Sequence, residues 1–332
     1  MRKYLQLLLI VLCQFFLSHP SLAAKKVKPS GIALDKIVVI LNNSVITQTE
    51  LNEAMTKAKN QLAGSQKTPL PAADILRKQV LDQLINRKLQ LDLAQQANIQ
   101  ISESDIDKAV NAIAARNHIS TDELYTSVSN QGLGRTEYRQ ELHDEITIQK
   151  IQQEAVASKI TITPQEADDF MRSAAWLAHN TKEYHLEDIL VALPENPSSQ
   201  DIAAAKNRAD HLLTKLHQGT PFREVAVSES GESNALQGGD LGWRKLPEIP
   251  SAFSNSLIQA QNNDIIGPIQ TANGFHIVHI AGIRKSAETE GTMKNKHQLI
   301  QQLLFQRKFE EALQSWITKI RSEAFINMQP DV

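Results

Sequence analysis

Few side chains in this sequence can do chemistry, and their spacing excludes several reactions before it suggests one. His276 and His279 sit in Gly274-Phe275-His276-Ile277-Val278-His279-Ile280, whose alternation reads as a strand with one sheltered face. Three residues apart on a strand, the two rings face opposite sides and do not chelate one ion together. The single cysteine, Cys13, lies inside an apolar N-terminal run, so neither a disulfide nor a thiolate metal site is expected. No His-Glu-x-x-His pair is present, and no metal or cofactor is expected. Gly238-Gly239-Asp240-Leu241-Gly242 lacks the Lys-Ser/Thr that completes a phosphate loop. No Gly-x-Ser-x-Gly elbow offers a hydrolase nucleophile. The adjacent carboxylates Asp168-Asp169 and Glu187-Asp188 read most simply as solvated or capping charge.

What remains is a module defined by turns and strands. Paired glycines in Gln237-Gly238-Gly239-Asp240-Leu241-Gly242-Trp243 release the backbone into left-handed turns that other residues resist. The elements around them read as a strand over 184–193, a helix over 201–218 and a short helix over 222–228. After the glycine turn come a short Leu/Trp segment, a helix near 251–261 and a strand over 274–280, a β-α-α-β-α-β order.

Upstream, residues 35–41 are β-branched and strand-like. Thr47-Gln48-Thr49-Glu50 has capping-box spacing and opens a helix to about residue 63. Helical periodicity then marks 72–97, 102–115, a segment opened by Ser120 and Glu123, and 136–159. Thr163-Pro164-Gln165-Glu166 starts another helix. The segment 293–322 is amphipathic and expected to pack on the N-terminal helices. The fold class expected is α+β: a mostly helical domain over 25–182, completed by a C-terminal helix within 285–332, plus the module over 183–284.

Together with Gly267-Pro268-Ile269 and Asn273-Gly274-Phe275-His276-Ile277, the glycine turn resembles the parvulin family of peptidyl-prolyl cis-trans isomerases. Such an enzyme makes no covalent bond. It offers a pocket matched to a twisted amide, whose rotation otherwise meets a barrier of about 18–20 kcal/mol. The resemblance implies two histidines on adjacent strands, a Cys or Asp, a Ser or Thr, and an apolar proline pocket. His276 matches the second histidine, Asn273 falls where Ser or Thr is common, and Leu241, Ile249 and Phe253 match the pocket. Ser230 is the choice for the Cys/Asp position, with Glu229 the alternative. The position of the first histidine is Asp188, in His185-Leu186-Glu187-Asp188-Ile189-Leu190. His185, three residues earlier, faces the other side. A carboxylate beside His276 raises its pKa, whereas under a substrate carbonyl it repels developing negative charge. Weak or absent isomerase activity is the expectation.

Residues 35–47, 81–93 and Ile162-Thr163-Pro164-Gln165-Glu166 are similar to the core of SurA-type periplasmic chaperones, which act on outer-membrane proteins before assembly. That resemblance implies an ATP-independent chaperone whose partners are unfolded outer-membrane precursors and X-Pro peptides. The alternative it allows is an active isomerase that assists secreted proteins. At 332 residues the chain has room for about two domains, and a net charge of −2 gives no field favouring nucleic acid. Arg2 and Lys3, an apolar run over 5–17 and Ala23-Ala24 read as a signal peptide over 1–24, hence a periplasmic destination without stable membrane insertion.

Overall fold

The computed structural model describes residues 35–42, 44–64, 71–172, 182–232, 234–257, 259–285 and 293–329. The expected signal peptide and Cys13 lie outside them. The chain divides into two compact units, one over 93–151 and the other over 36–92 with 152–332.

The first unit is helical. Helices α3 (Glu103–Arg116), α4 (Thr121–Asn130) and most of α5 (Arg135–Ala155) enclose Ile106, Val110, Ile113, Leu124, Val128 and Leu142. Reciprocal capping boxes open α3 at Ser102/Asp105 and α4 at Ser120/Glu123, which satisfies amide groups that a helix start leaves without partners. The Arg139 guanidinium donates to Glu103 and Asp107, joining α5 to α3.

The second unit begins with a three-stranded antiparallel sheet in the order β2-β1-β7, built from β1 (Ile37–Leu41), β2 (Ser44–Thr47) and β7 (Ile326–Met328). Thus the segment after the last helix pairs with the first strand, which sequence reasoning did not anticipate. Three residues are too few to show a strand period. Helix α1 (Gln48–Gly64) opens with the Thr47/Glu50 box, whose two backbone bonds measure 2.8 and 3.2 Å. Helix α2 (Ala73–Gln96) follows. Helix α5 stops at Ala155, ahead of a tight turn over Ala157–Lys159, and so is shorter than its periodicity suggested. Helix α6 spans Pro164–Arg172 and α10 spans Met293–Glu323.

Within this unit, helix α10 packs on α6 and is tied to α2. Ile300 and Leu304 meet Ala167 and Phe170 of α6, while Arg321 bonds Asp82 and Asn86 of α2. Ile300 is fully buried, so Ile300→Val removes one methylene from a closed site. Unfolding in urea is expected to show a loss of about 1 kcal/mol with an unchanged slope.

The remainder of this unit is the module. It comprises β3 (Lys182–Ala192), α7 (Ser199–His217), α8 (Phe222–Glu229), β4 (Asp240–Lys245), α9 (Ser251–Leu257), β5 (Ile265–Gln270) and β6 (Gly274–Lys285). The strands form one antiparallel sheet in the order β4-β3-β6-β5. Ile189, Val191, Phe275 and Ile277 face α7 and α8. Leu186, Val278 and Ile280 face Leu246, Ile249, Phe253 and Leu257 on the other side. Strand β5 is an addition to the expected order. Gly267-Pro268 interrupts its alternation, and the register with β6 shifts between Ile266 and Ile269. Helix α9 ends at Leu257, short of the expected 261.

Candidate functional site

The two central strands set the site. In their register Leu190 lies opposite His276 and Asp188 opposite Val278. Even-numbered residues of β3 and β6 near this point share one sheet face, so Asp188 and His276 emerge side by side beneath the Phe253 ring. The Phe253 and His276 ring centroids are 5.0 Å apart. Asp188 Oδ2 is 2.7 Å from His276 Nδ1, and the residues are only 3% and 7% exposed. The second ring nitrogen, Nε2, is 3.1 Å from the Thr271 hydroxyl. Asp188 is held by the turn that leads into β4, its backbone N–H donating to the Gly239 carbonyl at 2.8 Å.

Ser230, the residue that ends α8, is also buried, against the backbone of β3 beside the site. Its hydroxyl oxygen accepts the backbone N–H of Leu190 at 3.1 Å and that of Glu232 at 3.2 Å. Its carbonyl accepts from the buried Gln79 amide of α2 at 3.1 Å. Glu232 accepts from Gln314 of α10 at 2.6 Å. Hence helices α2 and α10 both reach the rim of the site. Burial alone disfavours the charged imidazole, but the Asp188 carboxylate, aided by Glu232, outweighs it. The pKa of His276 is raised above the ordinary imidazole range.

The chain matches the family models for the SurA N-terminal domain over residues 34–152 and for the PPIC-type peptidyl-prolyl isomerase domain over residues 188–282. Chaperone SurA of Colwellia psychrerythraea (strain 34H) is 33% identical to it over 291 residues, which cover 86% of this chain and 67% of that protein. The chain belongs to the SurA chaperone family. Chaperone SurA of Legionella pneumophila (strain Lens) is 36% identical over 250 residues, covering 75% of this chain and 58% of the relative. This SurA-family chain therefore spans somewhat over half the length of the curated relatives it matches first. A solved structure of a SurA-like chaperone from Campylobacter jejuni is similar over 89% of this chain and 100% of its own, with 15% identity and a TM-score of 0.42. Among the described residues, no helix is long and apolar enough to cross a membrane.

Within this SurA-family chain the expected site residues do not all meet. His276 and Asp188 converge, with Phe253 over the ring, while Ser230 bonds the backbone of Leu190 and Glu232. Ile249 is buried in the same cluster and Leu241 packs against it partly exposed. Asn273 stands apart. Its amide oxygen accepts from the Ser315 hydroxyl of α10 at 2.7 Å, and Thr271, not Asn273, touches the His276 ring. Glu229 points away from the site and pairs with Arg208. His185 and His279 lie on the opposite face from His276, paired with Asp240 and Glu187 respectively. The reading of Glu187-Asp188 as solvated charge is corrected. Glu187 is half-buried against His279, and Asp188 is buried on the other face, because a strand between two packed layers leaves neither residue in water.

Two site residues escaped sequence reasoning, Thr271 and Glu232. Thr271 is five residues before His276, across the turn that joins β5 to β6. With β5 unrecognised, nothing indicated that the chain folds back there. Glu232 follows the buried Ser230 by two residues, and only the loop after α8 turns it inward.

Proposed function

We propose that this SurA-family chain is a periplasmic, ATP-independent chaperone that holds unfolded outer-membrane proteins, and that its isomerase module has weak or absent activity. The observation that carries the second part is the buried Asp188 carboxylate bonded to His276. Twisting a prolyl amide breaks its resonance and localises the lone pair on nitrogen, and a site with donors preorganised for that twisted geometry lowers the barrier. Here a carboxylate occupies a position that the parvulin resemblance assigns to a histidine. His276 has both ring nitrogens engaged, by Asp188 and by Thr271. Phe253, Ile249 and Leu241 still frame an apolar wall suited to a proline ring, so X-Pro segments remain candidate ligands. His276 and Asp188 form the polar floor, Ser230 holds the loop beside it through the Leu190 and Glu232 amides, and Thr271 takes the role first given to Asn273.

Family membership supports the chaperone part, and the leader expected over 1–24 supports the periplasmic destination. The clients fit the chemistry of unfolded β-barrels, whose alternating apolar segments need shelter in extended form. The domain reading adopted is a helical region over 25–182, the module over 183–284 and a closing helix within 285–332. A second reading, an active foldase, draws on Phe253 and Thr271, which keep an aromatic and a hydroxyl against the ring.

The chaperone role is tested by diluting a urea-unfolded outer-membrane β-barrel protein into buffer containing the chain from Lys25. Light scattering is expected to fall at near-equimolar chaperone and to be indifferent to added ATP. Undiminished aggregation at a several-fold excess would refute the role.

A further inference from the structure

We propose that Asp188, Glu232 and His276 form a binding site for a divalent transition-metal ion, with Zn2+ the ion that best suits the donor set. The three side chains come from β3, the loop after α8, and β6. Each offers one ligand atom, and these atoms lie within 4.8 Å of one another. No spacing rule finds such a set, because the ligands are separated by more than forty residues each.

A cluster of acids alone is no site, but a second observation points the same way. Asp188 is almost fully buried, and its Oδ1 has no hydrogen-bond partner among the described residues. A buried carboxylate oxygen left without a partner is costly. A cation satisfies it and also offsets the repulsion between Asp188 and Glu232.

The surroundings resemble the outer shell that metal ligands need. With Nδ1 facing the two carboxylates, Nε2–H donates to the Thr271 hydroxyl at 3.1 Å, fixing tautomer and ring orientation. Gln314 donates to Glu232 at 2.6 Å. The loop that carries Glu232 is tied to β3 by Gly231 N–H, which donates to the Leu190 carbonyl at 2.8 Å. One imidazole and two carboxylates favour Zn2+ and its neighbours over Ca2+ or Mg2+, which prefer oxygen alone. Three protein ligands leave a fourth position open, as in zinc sites that take an exchangeable ligand. Binding displaces any proton on Nδ1 and opens the Asp188–His276 hydrogen bond, so affinity falls as pH is lowered.

This inference does not depend on the chaperone reading. It is tested with the full chain and Zn2+ in chelator-stripped buffer at neutral pH, by competition against a chromophoric zinc indicator. One tight Zn2+ per chain is expected. Glu232→Gln, at a half-buried loop position, is expected to weaken it more than about 100-fold, and Gln314→Ala by about 10-fold. The double variant His185→Ala/His279→Ala, on the opposite sheet face, should bind like wild type. The proposal is overturned by no binding at all, or by binding that survives both Glu232→Gln and Asp188→Asn. Should Asp188→Asn fold poorly, Glu232→Gln and Gln314→Ala decide the matter.

Discussion

His276→Leu is expected to lower the unfolding free energy by about 3–5 kcal/mol, the cost of stripping a buried charge of its partner. Leucine fills much of the imidazole volume against Phe253, so the loss comes from Asp188 rather than from a cavity. Asp188 would keep neither a cation nor a donor on its side chain, since Oδ1 already has none and Oδ2 faces only the ring. The double variant Asp188→Leu/His276→Leu should recover a large part of the loss, because apolar replacement of a whole buried pair is often neutral. The pH dependence carries the same signature. The folded pKa of His276 lies above the ordinary value. Its contribution is therefore complete below the unfolded pKa of about 6.5 and disappears as pH rises through the folded value. Urea unfolding in EDTA across that range should show wild type losing stability with rising pH, and His276→Leu lacking that component. A His276→Leu variant as stable as wild type would contradict the pairing.

Gly239→Ala is expected to cost about 3 kcal/mol or more and to uncouple β4 from the sheet. Gly239 sits at φ 76°, a region that disfavours side chains, and a Cβ there would run into the backbone of Asp188 at its carbonyl oxygen. The Gly239 carbonyl also receives the Asp188 N–H. Relief of the clash therefore pulls on the residue that holds His276. Hydrogen exchange should show lost protection at the Asp188 amide first. Gly242→Ala offers a contrast: its φ is also positive, at 70°, but nothing lies within 4 Å of its Cβ position. Its cost should stay near the 1 kcal/mol that backbone strain alone exacts. Equal penalties at the two positions would mean that the close approach to Asp188 does not matter.

Elements with local signals were legible from sequence. Thr47/Glu50, Ser102, Ser120/Glu123 and Thr163/Glu166 marked helix starts through side chains that bond amides within the same turn. Strand alternation placed His276 and His279 on opposite faces, and His185 away from His276. Strands β5 and β7 were not legible. The first is broken by Gly267-Pro268, where a Cβ at Gly267 would approach the His276 carbonyl to 2.7 Å. The second is too short to show a period, and its partner lies nearly three hundred residues away. The polar contacts of the site were the hardest part. Glu187-Asp188 looks like a solvated acidic pair until the sheet shows which layers cover it. Thr271 and Glu232 reach His276 and Asp188 only through turns whose geometry the residue types do not announce.

A proline-isomerisation assay on the chain from Lys25, run beside Asp188→His, tests the central claim most directly. Wild type should accelerate cis-trans exchange of an X-Pro peptide little above the uncatalysed rate. Asp188→His should raise the rate at least about tenfold, on the scale that one well-placed donor contributes to a transition state. A robust wild-type rate that His276→Ala abolishes and Asp188→His leaves unimproved would contradict the account and make the module an enzyme in its own right.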